Sequence, residues 1–332
     1  MSFLPSRRAV AIALALALGS GGAMAQSTPA SAGQGWPAKP IRLVIPFPAG
    51  GSTDIVGRLI AEKLSQSLGQ AVVVDNRGGA GGTTGSDVVA KAAADGYTFL
   101  MGTSSTHAIA PALYPKLPYE VARDFAPVAL LGTATILMVV HPSVPAKSVA
   151  EFIALAKSKP GQLMFGSTGN GSVSHLTAEH FKSAAGVDLQ HIPYKGDTPM
   201  TLDLVAGRVH VAFGTAVAFL PHVQAGKLNA LAVTDAKRSP IAPNLSTVAD
   251  SVAGFEALQW FGFFAPAGTP GNLVMRMNGD VNKVLQMKDV IDRFASLGIA
   301  VAGGTPEQFA AFLRSEATKW ARIVKDSGAK VD

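Results

Sequence analysis

The 332-residue sequence contains no cysteine. That absence excludes disulfide bonds, thiolate chemistry, cysteine-bound zinc and a lipoprotein anchor. Charged residues are also scarce, since they make up 15% of the chain against 48% hydrophobic residues. Such a composition favours large hydrophobic cores over disorder. A chain of this length suits two domains and can be stable without covalent crosslinks.

Hydrophobic runs long enough to cross a membrane are missing too. Near the N-terminus, Arg7 and Arg8 precede an apolar run that ends at Leu18, which is shorter than the ~20 residues that a membrane-spanning helix needs. The segment AMA at residues 23–25 then offers the small residues of a cleavage site. We therefore predict a secretory signal peptide over residues 1–25 and a periplasmic protein, with general and twin-arginine export both open.

The excess of positive charge is small. Without the two arginines of the signal peptide, 26 basic residues remain against 22 acidic ones, a net charge of +4. These charges are scattered, with no basic run and no interleaved aromatic residues, so the sequence predicts no nucleic-acid partner. A weak positive balance fits an anionic small-molecule ligand, but it fits an ordinary solvated surface equally well.

What the sequence does contain is an alternation of short apolar segments and helical patterns from Ile41 onward. Strands separated by helical patterns of this length are typical of βαβ units on parallel sheets. The alternation starts again after Val139-Val140, which indicates a second sheet with its own helices. We therefore predict an α/β fold with two lobes, each a mainly parallel sheet flanked by helices.

Two strand-like segments cross between the predicted lobes, near Leu137–Val140 and near Trp260–Phe264, and would form a hinge beside a cleft. The chain is predicted to divide into a flexible leader, a first lobe and a second lobe: residues 26–35, residues 36–135 with 261–332, and residues 136–260.

The last helix carries a clear start signal. Thr305 stands at the N-cap, Pro306 at the first helical position and Gln308 at the third, which together predict a capping box. The spacing of the apolar residues that follow predicts a buried face, and a core-packing role is the simplest interpretation of its aromatic residues. That face comprises Phe309, Phe312, Leu313, Trp320 and Ile323.

Five loops that follow predicted strands are rich in glycine, serine and threonine and poor in charge. In open α/β sheets, ligands bind beyond the carboxyl ends of the strands, where loops lead into helix N-termini. Glycine lets the backbone approach a ligand closely, and a helix start leaves four N–H groups unpaired, so such loops can hold an anion without an arginine. The loops are PFPAGGSTD (46–54), GTSSTH (102–107), GSTGNGS (166–172), YKGDTP (194–199) and GTA (214–216).

Each loop also has a purely structural interpretation. Residues 52–54 are all good helix-capping types, and lysines such as Lys195 are usually exposed. His107 and His175 are more typical of packed side chains than of metal ligands, because the seven histidines show no metal-ligand spacing. We predict neither a metal nor a cofactor.

The sequence also lacks the motifs that are typical of enzymes. NRGGAGGTTG (76–85) lacks the third glycine of a dinucleotide loop and follows the wrong strand, and no P-loop, G-x-S-x-G or H-E-x-x-H motif occurs. We therefore predict that the protein is not an enzyme. The alternative is an exported serine hydrolase that uses Ser104 or Ser172 with His107 or His175, although no oxyanion pattern accompanies these residues.

Several of these segments together resemble the Bug family, the periplasmic substrate-binding proteins associated with tripartite tricarboxylate transporters. The resemblance runs from Trp36 to the C-terminus. It rests on PFPAGGSTD, NRGGAGGTTG, DGYTFLMGTSSTHAI, YKGDTPMTLDLVAGRV and TPEQFAAFLRSEATKWARIVKDSG, which occur in the expected order. Two departures are Gly78, where the family often has proline, and His210, where an acidic residue is common.

The resemblance implies a type II-like periplasmic-binding-protein fold that closes on its ligand like a flytrap. It also implies a small carboxylate or related organic acid as ligand and membrane transporter subunits as partners of a monomeric protein. A receptor that reports its ligand to a signalling partner is an alternative, because it would use the same cleft.

The resemblance further implies which residues contact the ligand. One carboxylate would be gripped between the first loop and loops of the second lobe, partly through ordered water. The implied contacts are Phe47, Ala49, Gly50, Gly51, Asp54, Ser104 and Ser105 in the first lobe, with Thr168, Gly169, Asn170, Gly171, Tyr194 and Thr215 in the second.

Overall fold

The computed structural model describes residues 35–239 and 241–331. Internal contacts divide the chain into two units, Met1–Trp36 and Pro37–Asp332, and both sheets belong to the second. The predicted signal peptide and nearly all of the predicted leader lie outside the described residues. Within the described ranges, no helix combines the length and the apolar character that crossing a bilayer requires.

The first part of the chain alternates strands and helices, as the sequence predicts. Its elements are β1 (Ile41–Ile45), α1 (Ser52–Leu68), β2 (Val72–Asn76), a 3-10 turn (Ala80–Gly82), α2 (Thr83–Ala90), β3 (Thr98–Thr103), a π-helical turn (Ser105–Ile109), α3 (Ala110–Leu113), α4 (Val121–Asp124) and β4 (Phe125–Ala134). α1 ends where Gly69 adopts a left-handed conformation, with φ of 67°, which glycine reaches without a steric penalty.

The second part repeats the alternation. Its elements are β5 (Ile136–Val140), α5 (Val149–Ser158), β6 (Met164–Ser167), α6 (Val173–Ala185), β7 (Gln190–Pro193), α7 (Asp197–Val205), β8 (Val211–Thr215), α8 (Ala216–Gln224), β9 (Asn229–Val233), β10 (Ser246–Thr247) and a 3-10 turn (Val248–Asp250).

The third part returns the chain to the first sheet. Its elements are β11 (Gln259–Pro266), α9 (Gly271–Leu285), α10 (Lys288–Ser296), β12 (Ile299–Gly303) and α11 (Pro306–Ser327). The capping box at the start of α11 is confirmed, because Thr305 Oγ1 accepts from Gln308 N while Gln308 Oε1 accepts from Thr305 N.

The first sheet has six strands in the order β12-β4-β11-β3-β1-β2. β1 runs parallel to β2 and β3, whereas β11 is antiparallel to β3 and β4, and β12 is antiparallel to β4. This sheet is therefore mixed and differs from the expectation of a mainly parallel sheet. The cause is the returning chain, which enters β11 from the side of the second sheet.

The second sheet has six strands in the order β10-β9-β5-β8-β6-β7. β6 runs parallel to β7 and β8, and β10 runs parallel to β9. Only β5, which enters from the first sheet, is antiparallel to its neighbours β8 and β9. This sheet matches the expectation. The molecule is thus an α/β protein with two sheets, each flanked by helices.

The chain passes from the first sheet to the second at Thr135, between β4 and β5. The Thr135 N–H donates to the Gly298 carbonyl at 3.2 Å, and the Thr135 carbonyl accepts from Ala216 N at 2.9 Å. The two predicted crossings, Leu137–Val140 and Trp260–Phe264, lie in strands β5 and β11. The lobe boundaries given above, residues 135/136 and 260/261, stay a prediction.

α11 packs against elements associated with both sheets, including β4, α3 and α6. Glu316 is buried within this packing, and its Oε2 accepts from the indole N–H groups of Trp260 and Trp320, each at 3.2 Å. The predicted apolar face of α11 is largely confirmed. Its buried residues are Phe309, Leu313, Trp320 and Ile323, and Phe312 is half-buried.

Candidate functional site

The loop between β1 and α1 ends at a helix start that no side chain caps. Gly51 occupies the N-cap position, and the preceding Gly50 has a φ of 81°, which favours glycine. The Ser52 N–H donates to Asp197 Oδ2 at 2.8 Å. Among the described residues, the structure gives the N–H groups of Thr53 and Asp54 no acceptor. The start of α1 therefore presents main-chain donors to the gap between the sheets.

Asp54 fixes the shape of this loop. Its carboxylate accepts from Gly50 N, Arg58 Nε and Asn76 Nδ2, each at 2.9 Å. Burial on its own would raise the pKa of Asp54, but the hydrogen bonds from Arg58, Gly50 and Asn76 outweigh burial and lower the pKa below its ordinary value. An ionised Asp54 thus holds Gly50 in its unusual conformation.

The loop between β6 and α6 is also rich in glycine and serine, but its own side chains satisfy most of its donors. Ser172 Oγ accepts from His175 N, and His175 Nδ1 accepts from Gly171 N at 3.2 Å. Ser174 Oγ accepts from Thr168 N at 2.9 Å. Burial lowers the pKa of His175 to about 3, so its ring is neutral and Nδ1 can accept a hydrogen bond.

Direct hydrogen bonds cross the gap between the two sheets. Ser52 donates to Asp197 Oδ2 from N at 2.8 Å and from Oγ at 3.0 Å, and its Oγ lies 2.7 Å from Thr215 Oγ1. On another side of the gap, Val173 N donates to Ser105 Oγ at 2.9 Å. Helix starts belonging to the two sheets therefore face each other in a closed arrangement.

A cavity of about 90 Å³ lies among these helix starts. Apolar and hydroxyl side chains dominate its walls, and of the described residues that line it, Lys195 and Asp197 are the ionisable ones. Six of the residues predicted as ligand contacts line this cavity: Phe47, Ala49, Gly51, Ser105, Thr168 and Thr215.

Three of the predicted contacts line a larger, adjoining cavity of about 730 Å³ instead. Gly169, Asn170 and Tyr194 face residues Gly78–Gly82 across this space, and the Tyr194 hydroxyl donates to Asp203 Oδ2 at 2.9 Å. The two cavities share Phe47 as a lining residue.

The remaining predicted contacts lie behind the walls of the central cavity or outside it. Asp54 supports the first loop, as described above, and Gly50 lines a third cavity on the outer side of Ser52. Ser104 is buried and donates from Oγ to Gln259 Oε1 at 2.7 Å. A Cβ on Gly171 would lie 2.6 Å from the Tyr114 hydroxyl, so glycine is required there by packing.

Seven polar residues that line the central cavity are absent from the predicted contacts, namely Ser52, Thr53, Ser174, Lys195, Asp197, Thr198 and Gln259. Ser52 was also interpreted as a capping residue and Lys195 as an exposed lysine, although both lie in loops that were predicted to hold an anion. Asp197 had a usable signal, because an acidic residue at the first position of a helix following glycine marks a helix start. Gln259 had none, since it arrives from the distant strand β11.

The two departures noted in the sequence have structural partners. The His210 ring accepts from Met164 N at Nδ1, at 2.9 Å, and so joins the start of β6. Gly78 lies against Pro48, 3.1 Å from where a Cβ would stand. Neither residue lines the central cavity.

The serine–histidine pairs of a hydrolase are not formed by the predicted residues. Ser172 bonds the main-chain N–H of His175, and the His175 ring bonds Gly171 instead. His107 Nδ1 lies 2.8 Å from Thr106 Oγ1, and burial lowers the pKa of His107 to about 3. Over the described part of the chain, no group of three metal-ligating side chains is close enough to hold an ion.

With this geometry in place, comparison with known sequences is decisive. The profile of the tripartite tricarboxylate transporter family receptors (TctC) matches residues 56–329. This chain belongs to that family. It is 40% identical over 298 residues to the protein BugT of Bordetella pertussis, which covers 89% of this chain and 91% of BugT. It is 39% identical over 307 residues to a protein encoded between tcbD and tcbE in a Pseudomonas species, with 91% of each chain covered.

Solved structures of family members share the fold. The R. palustris protein Rpa4515 with adipate superposes with a TM-score of 0.86 at 38% identity, over 89% of this chain and all of that one. The periplasmic binding protein BugD gives 0.85 at 34% identity, over 89% and 99%. MatC from Rhodopseudomonas palustris with bound malate gives 0.82 at 34% identity, over 87% and 99%. The TctC chain described here therefore has the two-lobed fold of periplasmic binding proteins.

Proposed function

We propose that this protein captures a small organic carboxylate in the gap between its lobes and delivers it to a tripartite tricarboxylate-type transporter in the membrane. The observation that carries this proposal is the uncapped start of α1, whose Thr53 lines the central cavity opposite the starts of α6 and α7. Relatives solved with adipate and malate support a carboxylate as the ligand class.

Neutral donors are sufficient for such a ligand. Hydrogen bonds to a charged group contribute about 1.5–3 kcal/mol each, and a helix dipole adds about 0.3–1 kcal/mol. Four donors of this kind, offset in part by the entropy of association, can reach the ~8 kcal/mol of a micromolar complex. No arginine lines the cavity among the described residues, and none is required.

Binding and closure are coupled in this proposal. Each lobe contributes part of the cavity wall, so a ligand contacts both lobes only when they are closed and therefore shifts the population toward the closed form. The hydrogen bonds of Ser52 and Val173 across the gap favour the same form. The closed form is then the state that the transporter recognises.

The contacts that we propose fall into two groups according to where they lie. Around the carboxylate, the ligand would meet the main chain of the first loop together with hydroxyl groups from both lobes. Toward the adjoining cavity, it would meet the Thr168–Gly171 loop and Tyr194. The first group comprises Phe47, Ala49, Gly50, Gly51, Ser105, Thr168 and Thr215; Asp54 and Ser104 act by supporting the loop and wall on which these residues lie.

The test is a thermal-shift screen of mono-, di- and tricarboxylates, aromatic acids and acidic amino acids, followed by calorimetry on every acid that shifts the melting temperature. A ligand at 100 times its Kd should stabilise the protein by about 2.7 kcal/mol. Matched amides and alcohols of the same carbon skeleton serve as controls and should not bind. Binding of the amides as tightly as the acids would contradict the proposal.

Residues 1–25 are proposed to be removed during export to the periplasm, where the protein acts as a monomer. Mass spectrometry of the exported protein should give a mature chain that starts at Gln26, and light scattering should give the mass of one chain. Retention of the N-terminal segment, or a dimer, would contradict these two points.

A further inference from the structure

Asp197 accepts hydrogen bonds from Ser52 at the start of α1, the helix start at which we propose that the ligand binds. It is the first residue of α7, and its Oδ2 accepts from both Ser52 N and Ser52 Oγ across the gap. Asp197 lines the central cavity and also the neighbouring cavity on the outer side of Ser52. The Ser52–Asp197 pair is therefore part of the wall between these two spaces.

The second oxygen of this carboxylate has no partner in the described part of the chain. Oδ2 takes both bonds from Ser52, whereas no hydrogen bond reaches Oδ1. No lysine, arginine or histidine nitrogen of the described residues forms an ion pair with Asp197. Lys195 is the cationic residue that lines the same cavity, and Gly196 separates the two residues in sequence.

Because Asp197 lines the central cavity and its Oδ1 has no donor, this carboxylate restricts what can bind beside it. An ionised Asp197 accepts hydrogen bonds and cannot donate them, so it favours a hydroxyl or ammonium group of the ligand. A ligand carboxylate at the same place would meet a like charge with which no lysine, arginine or histidine of the described residues forms an ion pair. Burial raises the pKa of Asp197, although the bonds from Ser52 act in the opposite direction.

The size of the central cavity restricts the class of ligand further. Its volume of about 90 Å³ is smaller than the engineered cavity of ~150 Å³ that holds benzene in another protein. A compact ligand held within this cavity therefore lies close to Asp197, whereas a longer ligand would extend toward the adjoining cavity.

Resting on the proposed function, we propose that Asp197 determines specificity, by selecting compact carboxylates that carry a hydroxyl or ammonium group next to the captured carboxylate. The ligand's own carboxylate takes the N–H group of Thr53, which lines the cavity, while its hydroxyl or ammonium group donates to Asp197. A second carboxylate in that position is rejected by repulsion.

Calorimetry with two matched ligand series tests this inference on the full mature chain. The first series is propionate, lactate and alanine, and the second is succinate, malate and aspartate; within each, only one substituent changes. The wild-type protein should bind the hydroxyl- or ammonium-bearing members at least tenfold more tightly than propionate or succinate. Asp197→Asn keeps the size of the side chain but removes its charge, and should reduce this preference at least tenfold.

The control is Asp188→Asn, which removes the same charge from an exposed residue of the second lobe that does not line the cavity. It should leave every affinity ratio unchanged. If Asp197→Asn changes the affinity for every ligand by the same factor, Asp197 does not discriminate between ligands. The inference is then overturned. If no carboxylate of the wider screen binds the wild-type protein, the proposed function itself fails, which is a different result.

Discussion

The starts of α1 and α6 have similar composition but use it in opposite ways. Both follow a strand of their sheet through a loop of small residues, and both face the gap. At α6, Ser172 and Ser174 accept hydrogen bonds from main-chain N–H groups of their own loop and helix. At α1, no side chain caps Gly51. The first N–H of each helix donates across the gap. The third N–H of α6, that of His175, donates to Ser172 Oγ, whereas the third N–H of α1, that of Asp54, has no acceptor among the described residues.

This difference separates a helix start that stabilises its own lobe from one that remains available to a ligand. Serine at an N-cap accepts a hydrogen bond from a main-chain N–H of its own helix. Glycine at the same position leaves such N–H groups free and lets a ligand approach the backbone closely. The α6 start therefore forms a rigid wall, and the α1 start is the better candidate for the anion site. Each of the following predictions alters one side of this comparison.

The largest effect is expected at Gly51. A Cβ there would lie 2.9 Å from Asp197 Oδ2, while the backbone, with φ of −82° and ψ of 171°, accepts a β-branched residue. Gly51→Val should therefore reduce affinity for the best carboxylate of the screen about 100-fold, or about 2.7 kcal/mol. The free energy of unfolding should change by only about 1 kcal/mol, as measured by calorimetry and urea titration.

Gly271→Val is the matched control, because Gly271 is the first residue of α9 and a Cβ there meets nothing within 4 Å. It should leave affinity unchanged. Unaltered binding by the Gly51 variant would remove the start of α1 from the site, and the comparison between the two helices would lose its functional meaning.

Local patterns were sufficient to predict much of this molecule. The alternation of strands and helices and the capping box at Thr305 depend on neighbouring residues, so sequence reasoning found them. The same reasoning described the first sheet as mainly parallel, because it treated each strand as part of a local unit. The antiparallel strands β11 and β12 pair with β4 from distant parts of the chain, which no local pattern encodes.

The site shows the same limit on a smaller scale. The glycine-rich loops were recognised from composition, but composition could not distinguish donors that are already satisfied from donors that are free. That distinction depends on pairs far apart in sequence, such as Ser52 with Asp197 and Ser105 with Val173. Nor could composition show that the Asp54 carboxylate accepts from Gly50, Arg58 and Asn76 and so holds the loop; its contact with a ligand stays a prediction.

The two helix starts should also respond to acid in opposite directions. The pKa of His175 is lowered by burial to about 3, so between pH 6.5 and 3 the unfolded chain binds a proton that the folded chain does not. Stability at the α6 start therefore falls as the pH falls. Burial raises the pKa of Asp197, so acid should instead reduce the cost of burying this carboxylate, although it weakens the hydrogen bonds that Ser52 donates to it.

Urea unfolding at pH 7.5 and pH 5 measures the effect at α6. His175→Asn retains an acceptor for Gly171 N but no titrating ring, and it should reduce the acid-induced loss of stability by about 1–2 kcal/mol. His191 stacks on His175 with ring centroids 4.2 Å apart, and its own pKa is lowered to about 4 by burial. Its contribution should persist in the variant, and an identical pH dependence in both proteins would contradict the assignment to His175.

The smallest effect is expected from removing one hydroxyl at each helix start. Ser172→Ala deletes the cap of α6 and should lower the free energy of unfolding by about 1 kcal/mol, because Ser172 Oγ bonds groups of its own lobe. Ser52→Ala should lower it by less than about 0.5 kcal/mol, since the bonds of Ser52 Oγ go to Asp197 and Thr215 across the gap. Ligand affinity should rank the other way, with Ser52→Ala the more damaging variant. If Ser172→Ala and Ser52→Ala lowered the free energy of unfolding equally, both serines would act as caps of their own helices. The start of α1 would then no longer differ from that of α6.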